Sequence, residues 1–412
     1  MQGRVVITGM GTINALGLSV NETWGNILKG ISGVERISSF DASGLRVQIA
    51  CEVKDFDPHI YMSPRETRRR DRVEQLAAAA VKEAIHNSGI EVENTDKFRV
   101  GVIISSAMGG LQTLYDTYTT VREKGPNRVS PFAIPMLMTN GSAGMVAIEY
   151  GFQGPCFSVA SACASGSDAI GLAWTLLRNN VVDAVITGAS EATITEVGVA
   201  TFDRVGAMSR RNDDYSMTPQ PFDRNRDGLV MGEGAGVLVL EREDFARKRS
   251  AQILAELAGY AATADAFHIV APSENGEGGA MAISMAMKAA EINRDEIDYI
   301  NAHGTGTILN DISETRAIKT ALGETAYNIP VSSTKSMTGH IMGATGALEV
   351  IFCVNAIRDG VVPPTIHYQT PDPECDLDYV PNKARELPVQ VVLSNSFGFG
   401  GDNAVLIVRK YS

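Results

Sequence analysis

Short apolar runs recur along this chain between longer stretches of helical spacing, and the alternation predicts a sheet covered by helices. Arg4 to Thr8 reads as a buried strand broken by Gly9 and Gly11, and Asn21 to Lys29 as the helix after it. A turn-rich section around Ile37 to Pro64 follows, then an arginine cluster at the head of a helix to about Asn87. Val100 to Ser105 is a second apolar run. Helical stretches reach to about Glu123 and span Met138 to Tyr150, with a loop from Gly125 to Pro131 between them. Ala184 to Thr187 and Gly234 to Leu240 read as strands. Beyond Ala251 the alternation resumes: strands at 253–260, 299–302, 330–333, 390–395 and 404–408, with helices at 278–292, 311–322 and 341–358.

The two halves echo one another. Met231-Gly-Glu-Gly-Ala-Gly runs into Val-Leu-Val-Leu-Glu-Arg242, and Phe397-Gly-Phe-Gly-Gly-Asp-Asn-Ala runs into Val-Leu-Ile-Val-Arg409. Cys163 and His340 each precede a long apolar helix, with a glycine three residues on at Gly166 and Gly343. The period is too long for a solenoid. Two similar units, residues 1–250 and 251–412, with helix starts converging on one site, are the economical reading.

Ser158 to Asn180 carries the first candidate chemistry. Ala160, Ala162, Ala164 and Gly166 leave room for a sharp turn, and Gly166 to Leu177 is apolar enough for a buried helix. Cys163 is thereby expected at a helix N-terminus, where unsatisfied N–H groups favour the thiolate. An inert buried thiol is the other reading of a lone cysteine. Its partners decide between them.

Composition narrows the function classes. The chain has 412 residues, 44% hydrophobic and 20% charged, enough for a large core; its 40 glycines point to tight turns. A net charge of −12 argues against general nucleic-acid binding. The five cysteines, at 51, 156, 163, 353 and 375, form no CxxC pair and no metal-ligand spacing, so no metal is expected and a reducing, cytoplasmic setting is. MQGRVVITGMG enters a strand pattern without a secretory leader, and no uninterrupted apolar stretch is long enough for a membrane span.

Two of only six histidines stand in Gly/Thr-rich turns: Asn301-Ala-His303-Gly-Thr-Gly-Thr307 after a strand-like run, and Ser332-Ser-Thr-Lys335-Ser-Met-Thr-Gly-His340 before a helix. Cys with His is the usual pairing for an activated thiol. With SACASG at Cys163, NAHGTGT, SSTKSMTGH and the terminal NSFGFGG at Asn395 to Gly401, the whole chain resembles the elongating type II β-ketoacyl-acyl-carrier-protein synthases of the thiolase superfamily. The resemblance implies an α/β, thiolase-like duplicated fold: two βαβαβαββ halves stacked as five αβαβα layers, usually as a homodimer.

Carried over, the resemblance makes Cys163 the nucleophile that takes an acyl chain from a carrier-protein thioester, with an oxyanion hole formed by the N–H groups of Cys163 and Phe399. Such donors are typically worth ~3 kcal/mol each. His303 and His340 match the pair that assists malonyl decarboxylation. Lys335 matches the active-site lysine, with Glu349 and Glu314 as carboxylate neighbours and Asp311 as a further supporting residue. Thr305 and Thr307 match positions that bind the phosphopantetheine arm carried by the substrate; the enzyme itself is expected to hold no cofactor. Phe399 matches the gate, while Met108 and Phe202 match an acyl pocket that runs to the dimer interface, so Phe202 could act from the neighbouring subunit. An acidic carrier protein needs a basic landing site, here Arg65, Arg68 and Arg69, with Arg128 and Arg204. Two departures from the resemblance stand out: Asp402 replaces the usual threonine, and Gly206 stands where a basic residue is often used in docking, with Arg204 expected to substitute.

Ile308-Leu-Asn after Gly306 also resembles ketosynthase subunits of polyketide systems, some of which pair with a chain-length paralogue. A thiolase would need a second cysteine where Phe397 and Phe399 stand, and His340 speaks against initiating or chalcone-type enzymes. A non-catalytic chain-length subunit would lack Cys163. A cysteine thioester hydrolase is the alternative from another class.

Overall fold

The computed structural model describes residues 3–91 and 94–412. Its principal sheet has ten strands: β1 (Val5–Asn14), β2 (Val100–Ser105), β3 (Cys156–Phe157), β4 (Ala184–Glu191), β5 (Gly234–Arg242), β6 (Ala255–Ala264), β7 (Tyr299–Asn301), β8 (Val331–Ser332), β9 (Val391–Phe397) and β10 (Asp402–Arg409). Their spatial order is β8-β7-β9-β10-β6-β1-β5-β4-β2-β3. Each half therefore has the order 3-2-4-5-1, with the last two pairings antiparallel and the outer two parallel in both. The halves join by only three residue pairs, Val5 with Leu257, Val6 with Glu256 and Ile7 with Ala255. This seam makes one hydrogen-bonded sheet of what the echo presents as two.

Helices α1 (Arg72–Ser88) and α2 (Gly141–Tyr150) cover the first half, and α4 (Glu277–Ala290) and α5 (Ile308–Leu322) the second. Between the halves lie α3 (Ser165–Arg178) and α6 (Thr345–Asp359), which touch strands of both. Every residue of α6 from Thr345 to Ile357 is buried, mostly apolar side chains with Thr345, Glu349 and Asn355 among them. The result is the five-layer αβαβα fold.

β1 runs straight through Gly9 and Gly11, which the sequence reads as breakers. A Cβ at Gly9 would lie 2.2 Å from the Ala84 carbonyl oxygen, and one at Gly11 2.0 Å from that of Ala80. These glycines admit α1 against the strand; they do not end it. The arginine cluster is also divided. Pro64–Thr67 is a separate short helix, and α1 begins only at Arg72, behind the Asp71 capping box.

The echo between the helix starts holds in a different register. Each central helix follows a single 3-10 turn, Ala162–Ala164 before α3 and Met342–Ala344 before α6. Ala162 (φ 48°) and Met342 (φ 42°) both adopt the left-handed region, at a cost of roughly 1–2 kcal/mol each. Cys163 thus corresponds to Gly343, not to His340, and Gly166 to Gly346. A Cβ on Gly166 would meet the Gly343 carbonyl oxygen at 2.8 Å, and one on Gly346 the Ser167 hydroxyl at 2.2 Å. Small residues let the two helix starts touch.

Candidate active site

Cys163 sits in the turn that feeds α3, buried, with only 7% of its surface exposed. The backbone N–H groups of Phe399 and of Cys163 itself favour its ionised form. Even so, burial pushes the thiol up to about 11, with Glu191 adding to the rise and Lys335 opposing it. The thiolate expected from a helix N-terminus is therefore not the resting form, because desolvation outweighs the N–H groups. A base must take the proton, and His340 Nε2 stands 3.1 Å from the sulfur. The other ring nitrogen, Nδ1, bonds the Thr345 hydroxyl at 3.0 Å. If Nδ1–H donates there, the Nε2 lone pair is left for the thiol.

His340 is held by backbone: its N–H donates to Val230 (2.7 Å), and its carbonyl accepts from Gly232 (2.8 Å). The His303 ring lies edge-on to that of His340, centroids 5.4 Å apart at 87°. Glu314 fixes the His303 loop by accepting the N–H groups of His303 and Gly304, each at 2.7 Å, and the Asn395 amide at 3.0 Å. Asp311 accepts from Gly306 (3.2 Å) and Phe222 (2.7 Å), so two carboxylates from α5 shape the NAHGTGT turn. Burial holds both imidazoles well below the usual histidine range, and the Lys335 charge pushes the same way.

Lys335 donates to Glu349 at 2.6 Å, and both are completely enclosed. Glu314, expected as a second carboxylate neighbour, feels the Lys335 charge but makes no ion pair with it; its oxygens are taken by the His303 loop.

A cavity of about 330 Å³ opens onto Cys163, His303 and His340. Thr305 and Thr307 line it, their hydroxyls 2.9 Å apart, as do Phe399 and Phe202. Phe202 stands in the same chain's cavity as Cys163, so no neighbouring subunit is needed to bring it there. Met108 does not line this cavity. Its N–H donates to Glu191 (3.3 Å), and its side chain is 42% exposed.

Arg65, Arg68, Arg128 and Arg204 are exposed, while Arg69 is partly covered, its guanidinium 4.3 Å from the centre of the Phe132 ring. Two other members of the cluster are structural: Arg70 is buried against Glu149 (3.0 Å), and Arg72 bonds Glu233 (2.7 Å). Gly206 caps the helix Glu196–Val205 at φ 80°, a conformation a basic side chain would strain. Asp402 opens β10 and lies close enough to Asp168 to oppose its ionisation; nothing in the structure explains an acid in place of threonine.

Two residues of this site have no counterpart in the sequence reading. Thr345 orients His340 from five residues away, and Glu191 closes an otherwise apolar strand. A carboxylate ending the run Ala184-Val-Ile-Thr-Gly-Ala-Ser was the available signal for the second.

Family models place this arrangement: residues 2–246 match the β-ketoacyl synthase N-terminal domain and residues 254–369 the C-terminal domain. The chain belongs to the β-ketoacyl synthase family. Among its relatives, the 3-oxoacyl-[acyl-carrier-protein] synthase 2 of Staphylococcus aureus is 46% identical over 408 residues, 99% of this chain and 98% of that one. That of Synechocystis sp. is 47% identical over the same length and shares. Solved structures resemble the synthase over its whole length. One is a type II polyketide ketosynthase in complex with its acyl-carrier protein and bound to a hexaketide (TM-score 0.92, 35% identity, full coverage of both chains). Another is a β-ketoacyl synthase from Burkholderia phymatum (TM-score 0.92, 32% identity, full coverage of both). The ishigamide ketosynthase/chain length factor matches equally completely (TM-score 0.94, 34% identity). Among the described residues, no helix of the synthase is long and apolar enough to cross a membrane.

Proposed function

We propose that Cys163 carries the acyl chain in a decarboxylating condensation with malonyl-acyl carrier protein, giving 3-oxoacyl-acyl carrier protein in fatty-acid elongation. The observation that carries this is the placement of His340 Nε2 at 3.1 Å from the buried Cys163 sulfur, with a second neutral imidazole edge-on beside it. In the first half-reaction the thiol proton passes to His340, the sulfur attacks the thioester carbon, and the proton goes to the departing carrier thiol. In the second, CO2 leaves the malonyl group, the enolate attacks the acyl carbon on Cys163, a C–C bond forms, and the cysteine sulfur departs and regains a proton. Neutral His303 and His340 suit the enolate oxygen, His340 in the tautomer that carries its proton on Nε2 and accepts the Thr345 hydroxyl at Nδ1, since donors set where charge develops stabilise it most. The identities of 46–47% to 3-oxoacyl-[acyl-carrier-protein] synthases over nearly the full length of both chains support elongation.

His303→Ala separates the two steps. Decarboxylation should fall about 10²–10³-fold, the usual loss for one such donor, while acylation of Cys163 stays within a few-fold, because His340 is the ring bonded to the sulfur. Equal losses in CO2 release and in acyl-enzyme, read by intact-protein mass, would remove His303 from the enolate.

Acyl carrier protein is the proposed partner, its phosphopantetheine arm entering past Thr305 and Thr307, with no cofactor held by the enzyme itself. The exposed Arg65, Arg68, Arg128 and Arg204 give an acidic carrier its landing site on a protein of net charge −12. Arg68→Glu with Arg128→Glu should raise the apparent KM for carrier-bound substrate and weaken its salt dependence, leaving small thioester mimics unaffected. Equal impairment with the mimics would refute docking. A second copy is proposed to cover the exposed apolar side chains of the adjoining segments Leu111–Lys124, Ala133–Leu137 and Gly141–Tyr150, among them Leu114, Tyr118, Ile134 and Ile148. Met108 joins the acyl channel only if that copy closes it.

A further inference from the structure

Glu191 is completely buried at the end of β4 and takes no part in the chemistry above. One carboxylate oxygen accepts the Ser106 hydroxyl (2.8 Å) and the Met108 N–H (3.3 Å); the other accepts the N–H groups of Ala107 (2.8 Å) and Gly343 (3.1 Å). The Ser106 hydroxyl in turn accepts the Gly109 N–H at 2.8 Å. One carboxylate thus ties the turn after β2 to the 3-10 turn that follows His340 and contains Met342, which lines the active-site cavity. Gly343 admits this contact, since a Cβ there would lie 2.7 Å from the Ala107 nitrogen and 2.8 Å from Glu191 Oε2.

The duplication explains the position. Gly343 is the counterpart of Cys163 in the second half, so its N–H corresponds to an oxyanion-hole donor. In the first half that donor belongs to the reacting cysteine; in the second it is occupied by a fixed internal anion.

We propose that Glu191 is a positioning residue for decarboxylation: its carboxylate locks the turn carrying Met342 and Gly343, and through it His340, against the Ser106–Met108 turn. The inference rests on the division of labour proposed between His340 and Cys163. Burial pushes the Glu191 carboxyl up to about 7, against four hydrogen bonds that favour its charge, and the same charge opposes ionisation of Cys163. Loss of that charge therefore lowers decarboxylation through His340 while favouring ionisation of Cys163 itself, which alkylation reads without a general base. A general loss of structure would lower both.

Glu191→Gln in the full-length enzyme supplies the test, with CO2 release from malonyl carrier protein and alkylation of Cys163 by iodoacetamide measured side by side. The expected result is a fall of at least about ten-fold in kcat for decarboxylation, KM within two-fold, and alkylation unchanged or faster. Ser106→Ala, which removes one donor and keeps the carboxylate, should move decarboxylation the same way by a few-fold and decides the matter if the glutamine variant does not fold. Parallel loss of both readouts, or an unchanged decarboxylation rate in both variants, overturns the positioning role. Absence of decarboxylation in the unaltered enzyme would instead overturn the reaction proposed for the site.

Discussion

Cys163→Ala should form no acyl-enzyme at all, yet still release CO2 from malonyl carrier protein. The sulfur is the only nucleophile proposed to touch the acyl carbon, whereas decarboxylation is assigned to His303 and His340, whose placement does not depend on it. His303 is fixed through Glu314 and His340 through Val230, Gly232 and Thr345, so removing one sulfur leaves both rings in position. Intact-protein mass after incubation with an acyl carrier thioester reads the first result, and CO2 release the second. An acylated alanine variant would refute the nucleophile assignment.

Lys335→Ala should be the most destabilising single change in the site, costing about 3–5 kcal/mol, because it leaves Glu349 buried without its cation. Burial already pushes Glu349 up to about 7 with the lysine present. Without it the carboxyl rises further and must either stay charged at a cost or take a proton. The loss of stability should therefore be larger at pH 8, where ionisation is favoured, than at pH 6. Pairing Lys335→Met with Glu349→Leu should recover much of it. The substitution also acts on the histidines. Lys335 helps to hold both below the ordinary range, so its removal moves them upward, and the acid limb of decarboxylation should shift to higher pH. Linkage gives the matching stability effect. Between the depressed histidine values and the usual 6.5, the unfolded chain binds more protons, so this contribution is lost as pH falls through that window, and the window narrows without Lys335. Denaturant melts at pH 6 and pH 8 measure both effects; a cost that is small and independent of pH would contradict them.

Most of the architecture is legible in the sequence because it is written in local signals. The apolar runs of β2, β5, β9 and β10 and the Gly-rich turns before β5 and β10 require no knowledge of partners. What the sequence misplaces depends on packing across the fold. Gly9 and Gly11 look like strand breakers until α1 is seen lying on them. The five arginines look alike until Arg70 and Arg72 find Glu149 and Glu233. Cys163 and His340 look equivalent by their spacing to glycine, but the left-handed residues at 162 and 342 set the register and pair Cys163 with Gly343. The gathering of Cys163, His303 and His340 at one cavity is legible, since each stands in a small-residue turn at an element end. Their electrostatics are not: a turn at a helix start promises a thiolate, and only the depth of burial shows that desolvation prevails. Glu191 is not legible in the sequence because its four donors stand 83 to 152 residues away.

The central claim is carbon–carbon bond formation on Cys163 at the expense of a malonyl carboxylate, and the mass of the carrier-bound product tests it most directly. Given malonyl carrier protein and a series of acyl primers, the enzyme should yield 3-oxoacyl chains two carbons longer than each accepted primer, with one CO2 released per product. Free fatty acid released from the primer, with no lengthened chain on the carrier, would make the site a thioester hydrolase and contradict the account.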